Sequence, residues 1–153
     1  MMQCGMFVPA TSFRANLCEG LATHFKREED AGLDSGKLDE ELRRISEIVD
    51  HVRPDGMILF NESFAATNER EGSEIARQTT LALMARNIKV FFVTHQFDFA
   101  GGLFRRGLPS VVFLRAERDG DGKRDFKIVA GQPLQTSFGR DVFDRVFARD
   151  TVA

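Results

Sequence analysis

Two apolar runs end in polar residues that could share a chemical task. Met57-Ile58-Leu59-Phe60 is followed by Asn61 and Glu62, and Phe91-Phe92-Val93 by Thr94 and His95. Continuous apolar runs of this length suit strands buried on both faces, as in a parallel sheet. Open α/β sheets place their ligand sites at the carboxyl ends of such strands. A glutamate at that edge can polarise a water for attack on a terminal phosphate. Asn61, immediately before it, can offer an amide oxygen to Mg²⁺, a weaker donor than a carboxylate. If the two strands are neighbours, His95 stands beside Glu62 and can donate a hydrogen bond to a phosphate oxygen. Each strand end by itself is also what a solvated terminus looks like. The two ends together, with a helix between them, carry the reading.

A third candidate is Ser35-Gly36-Lys37 at the start of a predicted helix. Free N–H groups and the helix dipole attract anions there. From the residues alone it is either a plainly capped helix start or an anion site. Residues 32–38 do not form a phosphate-binding P-loop. Their glycine spacing is one residue short, Leu38 stands where a magnesium-binding hydroxyl belongs, and no apolar strand precedes them. Asp39, Glu40 and Glu41 suit the helix dipole but oppose a bound phosphate.

The elements that must position these residues follow from periodicity. Residues 12–17 and 21–25 suit short strands, and 26–36 a polar loop. Over residues 37–52, Leu38, Leu42, Ile45, Val49 and Val52 recur at helical spacing, and Pro54 and Gly56 follow. A strand at 57–60, a loop at 61–71, a helix at 72–86 and a strand at 90–94 make a βαβ unit. Ile75, Thr79, Ala82 and Leu83 are its expected core-facing helical residues. Residues 111–118 and 125–130 flank Asp119-Gly-Asp-Gly-Lys123, which predicts an antiparallel hairpin. A last helix is expected over 137–148, with Thr136 or Ser137 as its N-cap.

Composition excludes several classes. The 153 residues fit one domain or a large part of one, and 42% hydrophobic with 29% charged residues is a globular balance. A net charge of −2 gives no general basic face for nucleic acid. No apolar run approaches the roughly 20 residues that a bilayer requires. No basic segment leads into an apolar one at the start, so a cytoplasmic location is expected. Cys4 and Cys18 make neither a disulfide framework nor a zinc site.

The ordered motifs resemble a known family. Ser35-Gly-Lys-Leu-Asp-Glu-Glu-Leu42, Ile58-Leu-Phe-Asn-Glu-Ser63, Thr67-Asn-Glu-Arg-Glu-Gly-Ser-Glu-Ile-Ala76 and Phe92-Val-Thr-His95 together resemble the MutS ATPase domain, as found in bacterial MutS-related proteins. Phe7-Val-Pro-Ala10 and Gln135-Thr-Ser-Phe-Gly139 extend the likeness over nearly the whole chain. The resemblance implies an α/β fold: part of an ABC/RecA-like P-loop NTPase domain, with parallel core strands flanked by helices and a C-terminal β-hairpin and helix. Residues 1–153 would be a single C-terminal portion of that domain, with the P-loop before residue 1. It implies ATP and Mg²⁺ as cofactors. Glu62 would be the catalytic glutamate, His95 the switch histidine, and Asn61 would stand at the metal-supporting position. Ser35 and Gly36 would face a partner's γ-phosphate, and Ser63 to Asn68 would form the loop at the dimer interface. The partner would be a second copy or another MutS-like chain, and DNA would be held by domains outside this segment. The alternative is a non-catalytic module that docks on a full-length MutS-like partner.

Overall fold

Alternation along three short strands decides where the core sits. A computed structural model of the chain describes residues 1–25, 36–118, 124–136 and 138–147, in two units, Met1–Gln96 and Phe97–Ala153. In the first unit, β1 (Leu21–Phe25), β2 (Met57–Asn61) and β3 (Lys89–Val93) form a parallel sheet in that order. Registry aligns Ala22 with Ile58 and Val90, and His24 with Phe60 and Phe92. These six residues share one sheet face. That face is covered, with Ile58, Phe60 and His24 fully buried. The opposite face carries Leu21, Phe25, Phe91 and Val93, all at least 40% exposed.

The helices that connect the strands account for this asymmetry. Consecutive right-handed crossovers between neighbouring parallel strands put both helices on one side of the sheet. Helix α1 (Lys37–His51) packs by β1, and α2 (Glu69–Ala85) by β3. The expected apolar stripe of α1 holds at Ile45, buried, and at Leu38, Val49 and Val52, half-buried, but fails at Leu42. Leu42 is 38% exposed, whereas Glu41, at 6%, takes the inward place. Glu41 points inward because its carboxylate meets a buried backbone N–H, described below.

Helix α2 begins at Glu69, three residues before the expected start. The N-cap is Asn68, whose side-chain oxygen accepts a hydrogen bond from the Glu71 N–H at 3.0 Å. Asn68-x-x-Glu71 is capping-box spacing, which explains the earlier start. The buried face of α2 is Gly72, Ser73, Ala76, Thr80 and Leu83. Of the expected inward residues only Leu83 is fully buried, and Ala82 is exposed. Small residues win because the helix approaches closely. A Cβ on Gly72 would lie 2.2 Å from the Phe64 carbonyl oxygen.

Residues 12–17 form no strand. A 3₁₀ turn, Met2–Cys4, precedes them, and the Gln3 side chain hydrogen-bonds the Cys18 backbone. The second unit contains α3 (Phe97–Arg105), which the periodicity did not predict, with Phe99, Gly101 and Leu103 buried. Strands β4 (Leu114–Arg118) and β5 (Arg124–Ala130) form the expected antiparallel hairpin, with a register shift between Ala116 and Arg118. The expected turn at 119–123 lies outside the described residues. Helix α4 is Gly139–Phe147. The helix starts later than expected, so Thr136 is not its N-cap: Thr136 Oγ1 accepts the Phe138 N–H at 3.0 Å, ahead of the helix, and Ser137, the other expected cap, lies outside the described residues. Among the described residues no helix is long and apolar enough to cross a membrane.

This packing sets the expected cost of three substitutions. Glycine to alanine inside a helix ordinarily gains about 1 kcal/mol. At Gly72 the added methyl meets backbone, and overpacking of that kind costs about 1–3 kcal/mol. Gly72→Ala is therefore expected to destabilise, measured as a lower denaturant midpoint. Phe60→Ala, in the covered face, should cost about 3–5 kcal/mol. Phe91→Thr, on the open face, should cost less than about 1 kcal/mol in the same measurement.

Candidate functional site

The carboxyl end of β2 and the carboxyl end of β3 meet. Glu62 N–H donates to the Val93 carbonyl at 2.9 Å, which extends the ladder one residue past β2. There the backbone leaves strand geometry, because Glu62 has φ 53° and Phe64 has φ 63°. Left-handed backbone at non-glycine residues costs about 1–3 kcal/mol each and persists only where surroundings enforce it. In this conformation Glu62 Oε2 lies 2.5 Å from His95 Nδ1. Oε2 is itself shielded from solvent and has no aligned hydrogen bond. The contact is therefore a close charge–dipole approach, and an ion pair when the ring is protonated. The His95 side chain is 67% exposed, so the rest of its ring faces outward.

Four buried polar groups enforce the turn. Phe64 is wholly buried. Its N–H donates to Glu41 Oε2 at 3.1 Å, and its carbonyl accepts from Gln96 Nε2 at 3.1 Å. Ser63, also fully buried, has its hydroxyl 2.6 Å from His24 Nδ1 and 3.0 Å from the His24 carbonyl. His24 Nε2 lies 3.2 Å from the Glu41 carbonyl. Burying these groups is tolerable because most of their polar atoms meet one another or the Phe64 backbone, Gln96 Oε1 being the exception. Aromatic rings close the cluster: His24 and Phe64 stack at 5.9 Å between centroids, and Phe60 stacks on Phe92 at 4.8 Å. His24, Glu41, Gln96 and Gly72 were not among the sequence candidates. A single polar residue in a short strand or an amphipathic helix reads as surface. Only the shared face of His24 and Ala22 hinted otherwise.

The remaining candidates sit around this pair. Asn61 is the last residue of β2, half-buried, in register with Phe25 and Val93 on the open face. Gly36 caps α1 with extended backbone and no side-chain hydrogen bond. Ser35 lies outside the described residues. Asn68 caps α2, so its oxygen is committed to the Glu71 N–H. An open hollow of about 710 Å³ is lined by Leu38, Asn68, Arg70, Glu71, Glu74 and Ile75, and so joins the starts of α1 and α2. Glu62 and His95 do not line it. No group of three or more His, Cys, Asp or Glu side chains is placed to hold a metal among the described residues.

Comparison with known proteins gives these residues a context. No protein-family profile matches the chain. A DNA mismatch repair protein MutS of Leptospira interrogans is 27% identical over 150 residues, covering 87% of this chain. MutS of Synechococcus elongatus is 24% identical over 172 positions, covering all of it. The DNA mismatch repair protein MSH3 of Cryptococcus neoformans is 27% identical over 105 residues, 69% of the chain. The chain spans only 18%, 19% and 9%, respectively, of the lengths of these relatives. With 24–27% identity over 69–100% of its length, the chain is a distant relative of the MutS and MSH3 mismatch repair proteins.

Proposed function

We propose that this chain is the part of a MutS-type ABC ATPase domain that carries the hydrolytic glutamate and the switch histidine, and that it couples ATP hydrolysis to DNA handling within a larger assembly. The observation that carries this reading is the 2.5 Å approach of His95 Nδ1 to Glu62 Oε2 at the carboxyl edge of adjacent parallel strands. Glu62 orients a water through its carboxylate, with the proton moving toward the carboxylate as the water attacks. His95 holds Glu62 through Nδ1. Its Nε2 can donate to a phosphate oxygen only when the ring is protonated, because a neutral ring that donates from Nδ1 has a bare lone pair at Nε2.

The residues fit a magnesium ion held chiefly by phosphates and water. Glu62 supplies one carboxylate, whose Oε2 is already turned to His95, and the half-buried Asn61 beside it offers one amide oxygen. Mg²⁺ commonly takes one or two carboxylates from protein and the rest of its six oxygens from substrate and solvent. When bound, the ion would neutralise charge on the phosphates. Gly36, with Ser35 before it, would approach the nucleotide of a partner subunit, whether a second copy or another MutS-like chain. Asn68 would use its amide nitrogen there, since its oxygen caps α2. DNA would be held by other parts of the assembly.

A docking module without catalysis is the second reading, favoured by the open apolar face at Leu21, Phe25, Phe91 and Val93. Both readings expect the isolated chain to bind Mg-ATP no better than millimolar, since residues 32–38 do not make a phosphate cradle. Calorimetry checks this, and a micromolar affinity would contradict it. The two readings part on Glu62→Gln in the complete ATPase. Hydrolysis by Glu62 predicts turnover lower by roughly 10²–10⁴-fold with nucleotide affinity little changed. Asn61→Ala should instead raise the magnesium concentration needed for activity. Wild-type turnover in Glu62→Gln would leave only the docking reading.

A further inference from the structure

We propose that His24 is a positioning residue for Glu62: from the covered face of β1 it holds Ser63, and so keeps the Glu62–Phe64 turn in the left-handed conformation that aims the carboxylate at His95. The inference rests on the reading of Glu62 as the hydrolytic group.

His24 is wholly buried between the rings of Phe60 and Phe64, at 5.8 and 5.9 Å between centroids. An aliphatic residue would fill that space at no polar cost, so the imidazole must contribute something that packing does not. The contribution lies in its two nitrogens. Nε2 faces the Glu41 carbonyl, which can only accept, so Nε2 carries a proton. Nδ1 meets the Ser63 hydroxyl at 2.6 Å. The ring thus ties the first half of α1 to the one residue between Glu62 and Phe64, both of which have positive φ.

Among the described residues, no other side chain holds Ser63 in the same way. Glu41 and Gln96 hold the Phe64 backbone, one residue further along. Glu62 N–H is held by Val93, one residue earlier. With both neighbours held, the direction of the Glu62 side chain depends on where the peptide between residues 62 and 63 points. Ser63 sets that orientation by docking its hydroxyl on His24. If that hydroxyl lost its partner, Glu62 could relax toward right-handed backbone, and its carboxylate would swing away from His95. A catalytic group displaced by about 1 Å can lose on the order of 10²-fold in rate.

Three substitutions test this in the 153-residue chain by solution NMR. The readouts are the backbone carbon shifts of Glu62 and Phe64, which separate left-handed from right-handed backbone, and contacts between the His95 ring and Glu62. His24→Leu keeps volume and removes both nitrogens. His24→Asn keeps a polar atom near the Nδ1 position, and Ser63→Ala removes the single oxygen. We expect His24→Leu and Ser63→Ala to lose the left-handed signature at Glu62 together with the His95 contact, and His24→Asn to retain both. If His24→Leu does not fold, Ser63→Ala decides alone. A folded His24→Leu or Ser63→Ala chain with the wild-type signature at Glu62 overturns the proposal.

In the complete ATPase, His24→Leu and Ser63→Ala should lower kcat by about 10²-fold with KM for ATP nearly unchanged, and His24→Asn should recover most of it. Loss of turnover in Glu62→Gln but not in Ser63→Ala or His24→Leu removes the positioning role alone. No loss in Glu62→Gln removes the hydrolytic reading, and the positioning role with it.

Discussion

Phe64 belongs to no strand or helix, yet it is completely buried, so its N–H and carbonyl must be satisfied by side chains. Glu41 supplies the acceptor and Gln96 the donor. That requirement ties together four segments far apart in the sequence. Glu41 comes from α1, Gln96 follows β3, His24 and Ser63 add a second bridge from β1, and Gly72 of α2 leaves room for the carbonyl. A buried peptide left without partners costs about as much as a lost hydrogen bond, and a charged acceptor is worth more than a neutral one. The turn after β2 is therefore held more tightly than its irregular backbone suggests.

The local geometry at the site is a consequence of this arrangement. Two left-handed residues within three positions would relax in an ordinary loop. Here they are held from three sides, and the result is a glutamate that leaves the strand at a fixed angle beside His95. The same sheet face that supports the turn is packed with Ile58, Phe60 and Phe92, while the other face stays open. Parallel sheets are generally covered on both faces. Here Leu21, Phe25, Phe91 and Val93 leave the second face exposed.

The parallel βαβ order and the meeting of the two strand ends were legible in the sequence, because continuous apolar runs at Met57–Phe60 and Val90–Val93 carry strong signals. The clamp was not. Periodicity ranks residues by hydropathy, and it placed Leu42 inward where Glu41 is found, because the gain at Glu41 comes from one specific N–H in a distant loop. His24 was unreadable for the same reason. The start of α2 was legible in principle: Asn68 and Glu71 have capping-box spacing, but the acidic run at Glu69–Glu71 looked like loop. Helix α3 is nine residues long with adjacent glycines at 101 and 102, features that weaken any helical pattern.

Native-state hydrogen exchange of the Phe64 amide reads how firmly the turn after β2 is held. The amide lies in a turn, where exchange is ordinarily fast, but it is buried and donates to Glu41. Protection should be comparable to that of the β2 amides, with loss of that protection in Glu41→Gln smaller than in Glu41→Ala. A Phe64 amide that exchanges at the rate of an open loop would contradict a firmly held turn.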